Sequence, residues 1–396
     1  MERKALIAFA QQHAHEDPLK LLLQQQRYPN IDLREVAQQL EGKKQALTKW
    51  PTLALCEDYL FPPKLNREQS SSEATARYKS SIFHGENLAD LTGGMGIDSF
   101  FFAQRCQRVE YIEQQKELFS ITENNFQALG VKNIICHCSD SIEWITDKEP
   151  CELIYIDPAR RNSQGHKVSA FEDCTPNLLN NLEMLLSHCQ RLAVKASPMI
   201  DIHLALQQLQ SVNEIHIIAV GNECKEVLFI LQEGKRHERP EEIPIHCVNL
   251  HNSEEVYQAN SFTMQEEEAA EATYCAQIGH YLYEPHASIM KGGCFNSICH
   301  WYGVEKLARN THLYSSDQII ADFPGRKFEV LQAVVLNKKS VANILPQKQA
   351  HVTVRNYPIA AAELQRRLGI KEGGDLFIVA ATLGNKPLGW LCRPIF

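Results

Sequence analysis

Between residues 87 and 231, short apolar runs alternate with stretches whose apolar residues recur at helical spacing. Leu88–Leu91 is a short strand, followed at once by Thr92-Gly93-Gly94-Met95-Gly96 and a helical run through Phe100, Phe101, Phe102 and Ala103. Strand Val109–Ile112 ends at Glu113, with helix Lys116–Leu129 behind it. Asn133–Cys138 is a third strand closed by Ser139-Asp140, and Glu152–Ile156 a fourth closed by Asp157-Pro158. Leu178–Ser187 reads as a helix, Leu192–Lys195 as a fifth strand and Ile202–Leu209 as a helix. Glu214–Val220 and Cys224–Leu231 sit too close for a crossover helix and predict an antiparallel pair. This rhythm predicts an α/β fold around a mostly parallel, doubly wound sheet. Its ligand belongs outside the carboxyl ends of the strands. Gly93, Glu113, Asp140 and Asp157 all fall there.

The flanks differ. Residues 1–80 read as a helical domain: Pro18–Gln26 is one run, and Asp32–Leu47 another with Leu33, Val36, Ala37 and Leu40 on one face. Asp32 is the candidate N-cap, and Trp50-Pro51 ends that run. Ser70-Ser71-Ser72-Glu73 fits a capping box opening a further helix. The sheet domain spans 81–250. A linker and small domain of short strands and turns occupies 251–325, with Glu266-Glu267-Glu268 a solvated loop or a helix start. The tail, 326–396, predicts strands Phe328–Leu336 and His351–Arg355, helix Ala360–Leu368 and a closing strand Asp375–Leu383.

Charge changes the picture of the tail. The whole chain carries −8, yet Arg326–Phe396 holds eleven Lys and Arg against four acids, a net +7 that leaves −15 elsewhere. A basic terminal domain on an acidic body suits local contact with phosphates, and equally a solvated surface. No stretch approaches the ~18 apolar residues of a membrane span. The polar start lacks an apolar signal region, which points to a cytoplasmic address. Thirteen cysteines without such a region read as reduced thiols. Cys294, Cys299 and His300, or Cys136-His137-Cys138, have spacings unsuited to a closed zinc site, so no metal is expected.

The loop at 90–98 carries the chemistry. Glycines let a strand-to-helix turn approach a ligand closely. A lone Gly-x-Gly is common in plain turns; here it joins a predicted strand to a predicted helix, which raises its weight. Glu113, at the end of the next strand, is placed to accept from both ribose hydroxyls, and Asp140 from an adenine amino group. The loop Asp90-Leu91-Thr92-Gly93-Gly94-Met95-Gly96 is not the Gly-x-Gly-x-x-Gly of pyrophosphate binders, and Asp90 would repel a pyrophosphate. An ammonium and a sulfonium would be attracted instead. That preference favours S-adenosylmethionine over a nicotinamide.

Asp90-Leu91-Thr92-Gly93-Gly94-Met95-Gly96-Ile97-Asp98 resembles motif I of class I methyltransferases, especially those acting on RNA. Glu113, Asp140 and Asp157-Pro158-Ala159-Arg160 sit where that class keeps its ribose, adenine and fourth-strand motifs. The whole chain is similar to a bacterial group of such enzymes with a THUMP-like C-terminal domain and a small ferredoxin-like insert. Asp322-Phe323-Pro324-Gly325-Arg326, Arg355-Asn356-Tyr357-Pro358, Gly373-Gly374-Asp375 and Tyr283-Glu284-Pro285 carry that second likeness. The resemblance implies a Rossmann-like seven-stranded sheet, S-adenosylmethionine as cofactor, and tRNA or rRNA as substrate. Donor contacts would be Asp90, Thr92, Gly93, Gly94, Gly96, Asp98, Glu113 and Asp140. Asp157 and Pro158 would form the catalytic end.

One departure is plain. No aromatic follows Asp157-Pro158, so stacking on a flipped base by that residue is lost. Arg160 and Arg161 are placed to hold a phosphate or carboxylate, or to form a structural salt bridge. Lys195 and Ser197 either line the acceptor pocket or serve the fold. Arg77, Tyr78 and Lys79 are candidates to touch the acceptor from the N-terminal side, and Cys174 and Cys224 remain open as reactive thiols. Two other readings also stay open: a methyltransferase of a small-molecule or protein acceptor, and a non-catalytic RNA-binding protein.

Overall fold

The computed structural model describes residues 3–160, 171, 174–234, 239–250, 257–345 and 347–396. They form two compact units: Met1–Ile215 with Glu226–Pro240 and Leu250–Val256, and His216–Lys225 with Glu241–Asn249 and Tyr257–Phe396.

The first unit begins with helices, the longest being Leu33–Lys49. Asp32 caps it by accepting from the Arg34 N–H at 2.9 Å, and Leu33, Val36, Ala37 and Ala46 bury its apolar face. Trp50 ends it as expected, and Pro51 opens a short helix to Ala54. The next cap lies two residues beyond the expected one. Helix Glu73–Ile82 is capped by Ser72 through the Thr75 N–H, not by a Ser70/Glu73 box. Glu73 turns away to accept from Thr52 and Arg77, a tertiary demand that local pattern does not reveal.

The strands of this unit are β1 Gly85–Asp90, β2 Cys106–Ile112, β3 Ile134–His137, β4 Cys151–Ile156, the two-residue β5 Ala159–Arg160 and β6 Cys174–Thr175, and β7 Cys189–Ala196, with the outer parts of β8 Val212–Val220 and β9 Glu223–Leu231, whose shared tip His216–Lys225 is counted with the second unit. Among the described residues, β5 and β6 pair only with each other. The main sheet runs β8-β9-β7-β4-β1-β2-β3. Parallel pairing joins β7, β4, β1, β2 and β3, while β9 returns antiparallel to β7. Leu153–Ile156, Leu192–Val194 and Val227–Leu231 are buried without alternation, because layers cover both faces of the sheet.

In the second unit, β10 Ile245–Leu250 and β11 Tyr257–Phe262 follow the tip of the β8–β9 hairpin in the order β8-β10-β11. They make the sheet nine-stranded where seven strands were expected. Helix Met264–Ala269 comes next, so the acidic run is a helix start: Thr263 and Glu266 form its capping box. Glu267 accepts from the N–H groups of Phe295, Asn296 and Ser297.

A second sheet contains β12 Tyr281–Pro285, β13 Glu305–Ala308, β14 Thr311–Ser316, β15 Gly325–Ala333, β16 His351–Arg355, β17 Phe377–Leu383 and β18 Lys386–Ile395, ordered β13-β14-β12-β15-β18-β17-β16. The expected closing strand, β17, is not the last. β18 follows a two-residue turn and lies between β15 and β17. Its start, Lys386-Pro387-Leu388-Gly389, carries breaker residues that hide a strand in the sequence. Helix Lys338–Ile344 was likewise unforeseen. Among the described residues, no helix is long and apolar enough to cross a membrane.

Candidate active site

The parallel register sets one rim. Asp90 aligns with Tyr111 of β2 and Tyr155 of β4, so the residues just past these strands emerge at the same sheet edge. Gly93 N–H donates to the Ile112 carbonyl at 2.9 Å, Glu113 N–H to His137, and Leu91 N–H to Tyr155. Gly93, Glu113, Asp140, Asp157 and Lys195 therefore belong to consecutive strand ends.

Within the loop the glycines answer different demands. A Cβ on Gly93 would lie 2.2 Å from the Tyr111 ring, and one on Gly96 2.5 Å from Phe126. Gly94 adopts φ +53°, and a Cβ there would meet nothing nearer than the Thr92 carbonyl at 3.7 Å. Two of the three are thus required by packing inside the protein; only Gly94 turns a bare face outward. Tyr111 Oη donates to the Gly94 carbonyl at 2.6 Å, and Thr122 Oγ1 at 3.1 Å, which fixes the loop from beneath.

The acids divide in the same way. Asp90 is 1% exposed and accepts from Ser99 Oγ at 2.5 Å and the Thr92 N–H at 3.1 Å. It stands behind the loop instead of lining open surface. Burial is the main cause that lifts its carboxyl to about 7, against the pull of Ser99. Glu113 accepts from Gly94 N–H at 3.0 Å through one oxygen and from Gln115 N–H at 2.7 Å through the other. Burial pushes its carboxyl up despite those bonds. Asp140 is exposed and caps helix Ser141–Thr146, with Oδ1 accepting from Ile142 and Glu143. Thr92 Oγ1 accepts from the Asp157 N–H at 2.7 Å, tying the loop to the end of β4.

Behind Asp157 lies a charged network that sequence reasoning missed. Lys195 Nζ reaches Asp157 Oδ2 at 2.6 Å and lies 3.9 Å from Glu226 Oε2. Lys79 Nζ pairs with Asp98 Oδ1 at 2.8 Å and Glu226 Oε1 at 3.0 Å, and donates to Ser71 Oγ at 2.8 Å. Burial works against the Lys195 charge, but Asp157, Glu226 and Asp98 outweigh it and raise its pKa. Burial likewise disfavours ionised Asp98, and Lys79 and Lys195 reverse this to hold its carboxyl below the usual range. Lys79 is wholly buried and Tyr78 nearly so, which rules them out as surface contacts for an acceptor; Arg77 is half-exposed and paired with Glu73. Asp98 is likewise committed to Lys79, Ser71 and Tyr155. A lone lysine on a helix face gives no sequence signal of this role, because its charged partners, Asp98 and Glu226, lie 19 and 147 positions away.

Pro158 is buried beside Asp157, while Ser197 accepts from the Met199 N–H in a turn after β7. Arg160 contributes backbone pairing with Cys174; Arg161 lies outside the described residues. All thirteen cysteines are free thiols. Burial raises the Cys136 thiol to about 12 and pushes Cys294 up further.

In the second unit, Glu284 is 2% exposed and gripped from two sides. Arg326 donates to its Oε2 from Nε at 2.8 Å, and Arg355 pairs with Oε1. Gly325 lies opposite Pro285, where a Cβ would fall 2.0 Å from the Glu284 carbonyl oxygen. The tail segments around Arg326 and Arg355 thus converge on the Tyr283-Glu284-Pro285 segment. Lys338, Lys339, Lys348, Arg366, Lys371 and Lys386 remain exposed.

Residues 281–324 match the model of a ferredoxin-like domain, and 325–394 that of a THUMP-like domain. A crystal structure from Porphyromonas gingivalis W83, described only provisionally as a methyltransferase, is 31% identical over 100% of this chain and 98% of that one, with a TM-score of 0.87. The chain belongs to that family. It is a class I methyltransferase-type protein with ferredoxin-like and THUMP-like parts. More distant matches include an rRNA methylase from Streptococcus thermophilus at 17% identity, covering 40% of this chain and 94% of that one with a TM-score of 0.30. Another is M. capricolum TrmK in complex with S-adenosyl-homocysteine, at 11% identity, 43% and 73% coverage and a TM-score of 0.34. No curated protein matches the chain.

Proposed function

We propose that this methyltransferase-family chain moves the methyl group of S-adenosylmethionine to RNA, of the tRNA or rRNA class. The observation that carries the reading is the rim: a loop with one bare glycine face and three acids at successive strand ends. The residues present fit the donor. Gly94 leaves room for close approach. Glu113 accepts from Gly94 on one oxygen and from Gln115 on the other, and a carboxylate so held can still accept from ribose hydroxyls. Asp140 keeps Oδ2 for an adenine amino group, since its cap uses Oδ1. Asp90, buried and raised to about 7, would ionise in response to a nearby cation.

When bound, the donor supplies an activated methyl group on its sulfonium. The chain must then bring a nucleophile into line, and position alone can provide most of the acceleration. Asp157 is the acceptor-side group: Lys195 holds Oδ2, while Oδ1 is available to receive an N–H or O–H hydrogen bond from the attacking group. Pro158 and Ser197 lie on that side, and Arg160 and Arg161 keep, from their place in the sequence alone, the role of candidates to hold a phosphate. With no aromatic after Pro158, the acceptor is held by charge instead of stacking at this point. The exposed cations of the tail favour a polyanionic acceptor over a small molecule. The four divisions 1–80, 81–250, 251–325 and 326–396 serve respectively as site support, donor domain, connection and RNA grip.

The test is transfer of labelled methyl from S-adenosylmethionine into fractionated cellular RNA. Label should enter one RNA fraction, and Asp157→Ala should reduce the rate by about a hundredfold or more. Label entering only protein or small molecules would overturn the RNA assignment.

A further inference from the structure

The N-terminal helical region touches the acceptor end through two side chains. Ser71 Oγ donates to Asp98 Oδ2 at 2.7 Å and accepts from Lys79 Nζ at 2.8 Å and, more loosely, from Lys195 Nζ at 3.4 Å. One donation and two acceptances use the full capacity of a hydroxyl. Lys79 is equally committed: Ser71, Asp98, Glu226 and Tyr155 Oη, the last at 3.1 Å, share its three hydrogens. Two lysines and three acids, Asp98, Asp157 and Glu226, thus form one cluster, of which only Asp157 is substantially open, at 35%. Desolvated charges persist only when paired and hydrogen-bonded, so each member restricts where the next one stands.

We propose that Ser71, Lys79 and Glu226 are positioning residues: Ser71 and Glu226 hold Lys195 on its inner side, Lys79 holds those two, and Lys195 so held keeps Asp157 in the geometry the acceptor needs. This gives the N-terminal helices a working part in methyl transfer, and it rests on the function proposed above. Ser71 and Lys79 reach no open surface, being 5% and 0% exposed, so they act through Lys195 and touch no substrate. Loss of Ser71 or Glu226 leaves Lys195 with Asp157 as its close anchor, and the pair drifts together. Displacements of about 1 Å in reacting groups can cost on the order of a hundredfold in rate.

The experiment uses the full chain, labelled S-adenosylmethionine and total RNA from cells lacking the protein. Ser71→Ala and Glu226→Gln are measured alone and combined with Asp157→Ala. Glu226→Gln leaves two lysines facing two acids, a balanced cluster, and serves if the alanine variant does not fold. Either variant should lower kcat by about tenfold or more with donor affinity within about twofold of wild type. That loss should vanish when Asp157 is already alanine, as expected for residues acting through it. Wild-type kcat in both variants, or an equal loss with and without Asp157, overturns the proposal. Absence of any transfer by the wild type instead overturns the function on which it rests, and this inference with it.

Discussion

At the residue scale, the decisive contrast is between acids that face the rim and acids that stand behind it. Sequence position placed Asp90, Glu113 and Asp140 on the donor side, and the family resemblance added Asp98. The structure keeps Glu113 and Asp140 with spare lone pairs, and buries Asp90 against Ser99 and Thr92. A carboxyl lifted to about 7 by burial binds its proton more tightly folded than unfolded, where the value is ~3.9. Its contribution to stability is therefore greatest below about pH 4 and is lost as pH rises through 7. Asp90→Asn should remove that loss. Urea unfolding from pH 4 to 8 should show the variant gaining on wild type by up to about 4 kcal/mol, three pKa units at ~1.4 kcal/mol each. A constant difference across that range would contradict the assignment.

At the element scale, the main-sheet strands β1 to β4 and β7 to β9 were legible because each crossover is local and each strand is a compact apolar run, whereas the two-residue β5 and β6 were not foreseen. The antiparallel β8–β9 pair was legible from its short connection. The misses share a cause. β18 opens with Pro387 and Gly389, Ser72 replaced Ser70 as a cap because Glu73 was needed by Thr52 and Arg77, and the Lys79–Glu226 pair joins residues far apart in sequence. Local pattern reports local energies; these choices were made by tertiary partners. Helix Glu73–Ile82 has particular weight, since it presents Lys79 to the buried cluster. Ser72→Ala removes its cap and should cost about 1 kcal/mol in chemical denaturation. A loss below a few tenths would mean that packing alone sets the helix start.

At the scale of the whole molecule, the net +7 of the tail is not all available to a ligand. Arg326 and Arg355 are committed to Glu284, Arg367 pairs with Glu363 and Arg393 with Glu329. The exposed lysines and Arg366 are what remain. Removing residues 326–396 would take β15–β18 from a seven-stranded sheet, so charge reversal is the sounder probe. Lys338→Glu, Lys339→Glu and Lys371→Glu together should weaken RNA binding and flatten its dependence on log salt, by about 0.7–0.9 for each phosphate no longer neutralised. An unchanged slope would move the RNA grip away from these residues. The central claim, however, concerns the rim that joins β1, β2 and β3. Calorimetric titration of S-adenosylmethionine against the wild type and Glu113→Gln tests it most directly. The account predicts one site per chain, weakened about tenfold to a hundredfold by the substitution, as for a hydrogen bond to a charged group. No heat of binding by the wild type at millimolar donor, or equal affinity in the two proteins, would contradict it.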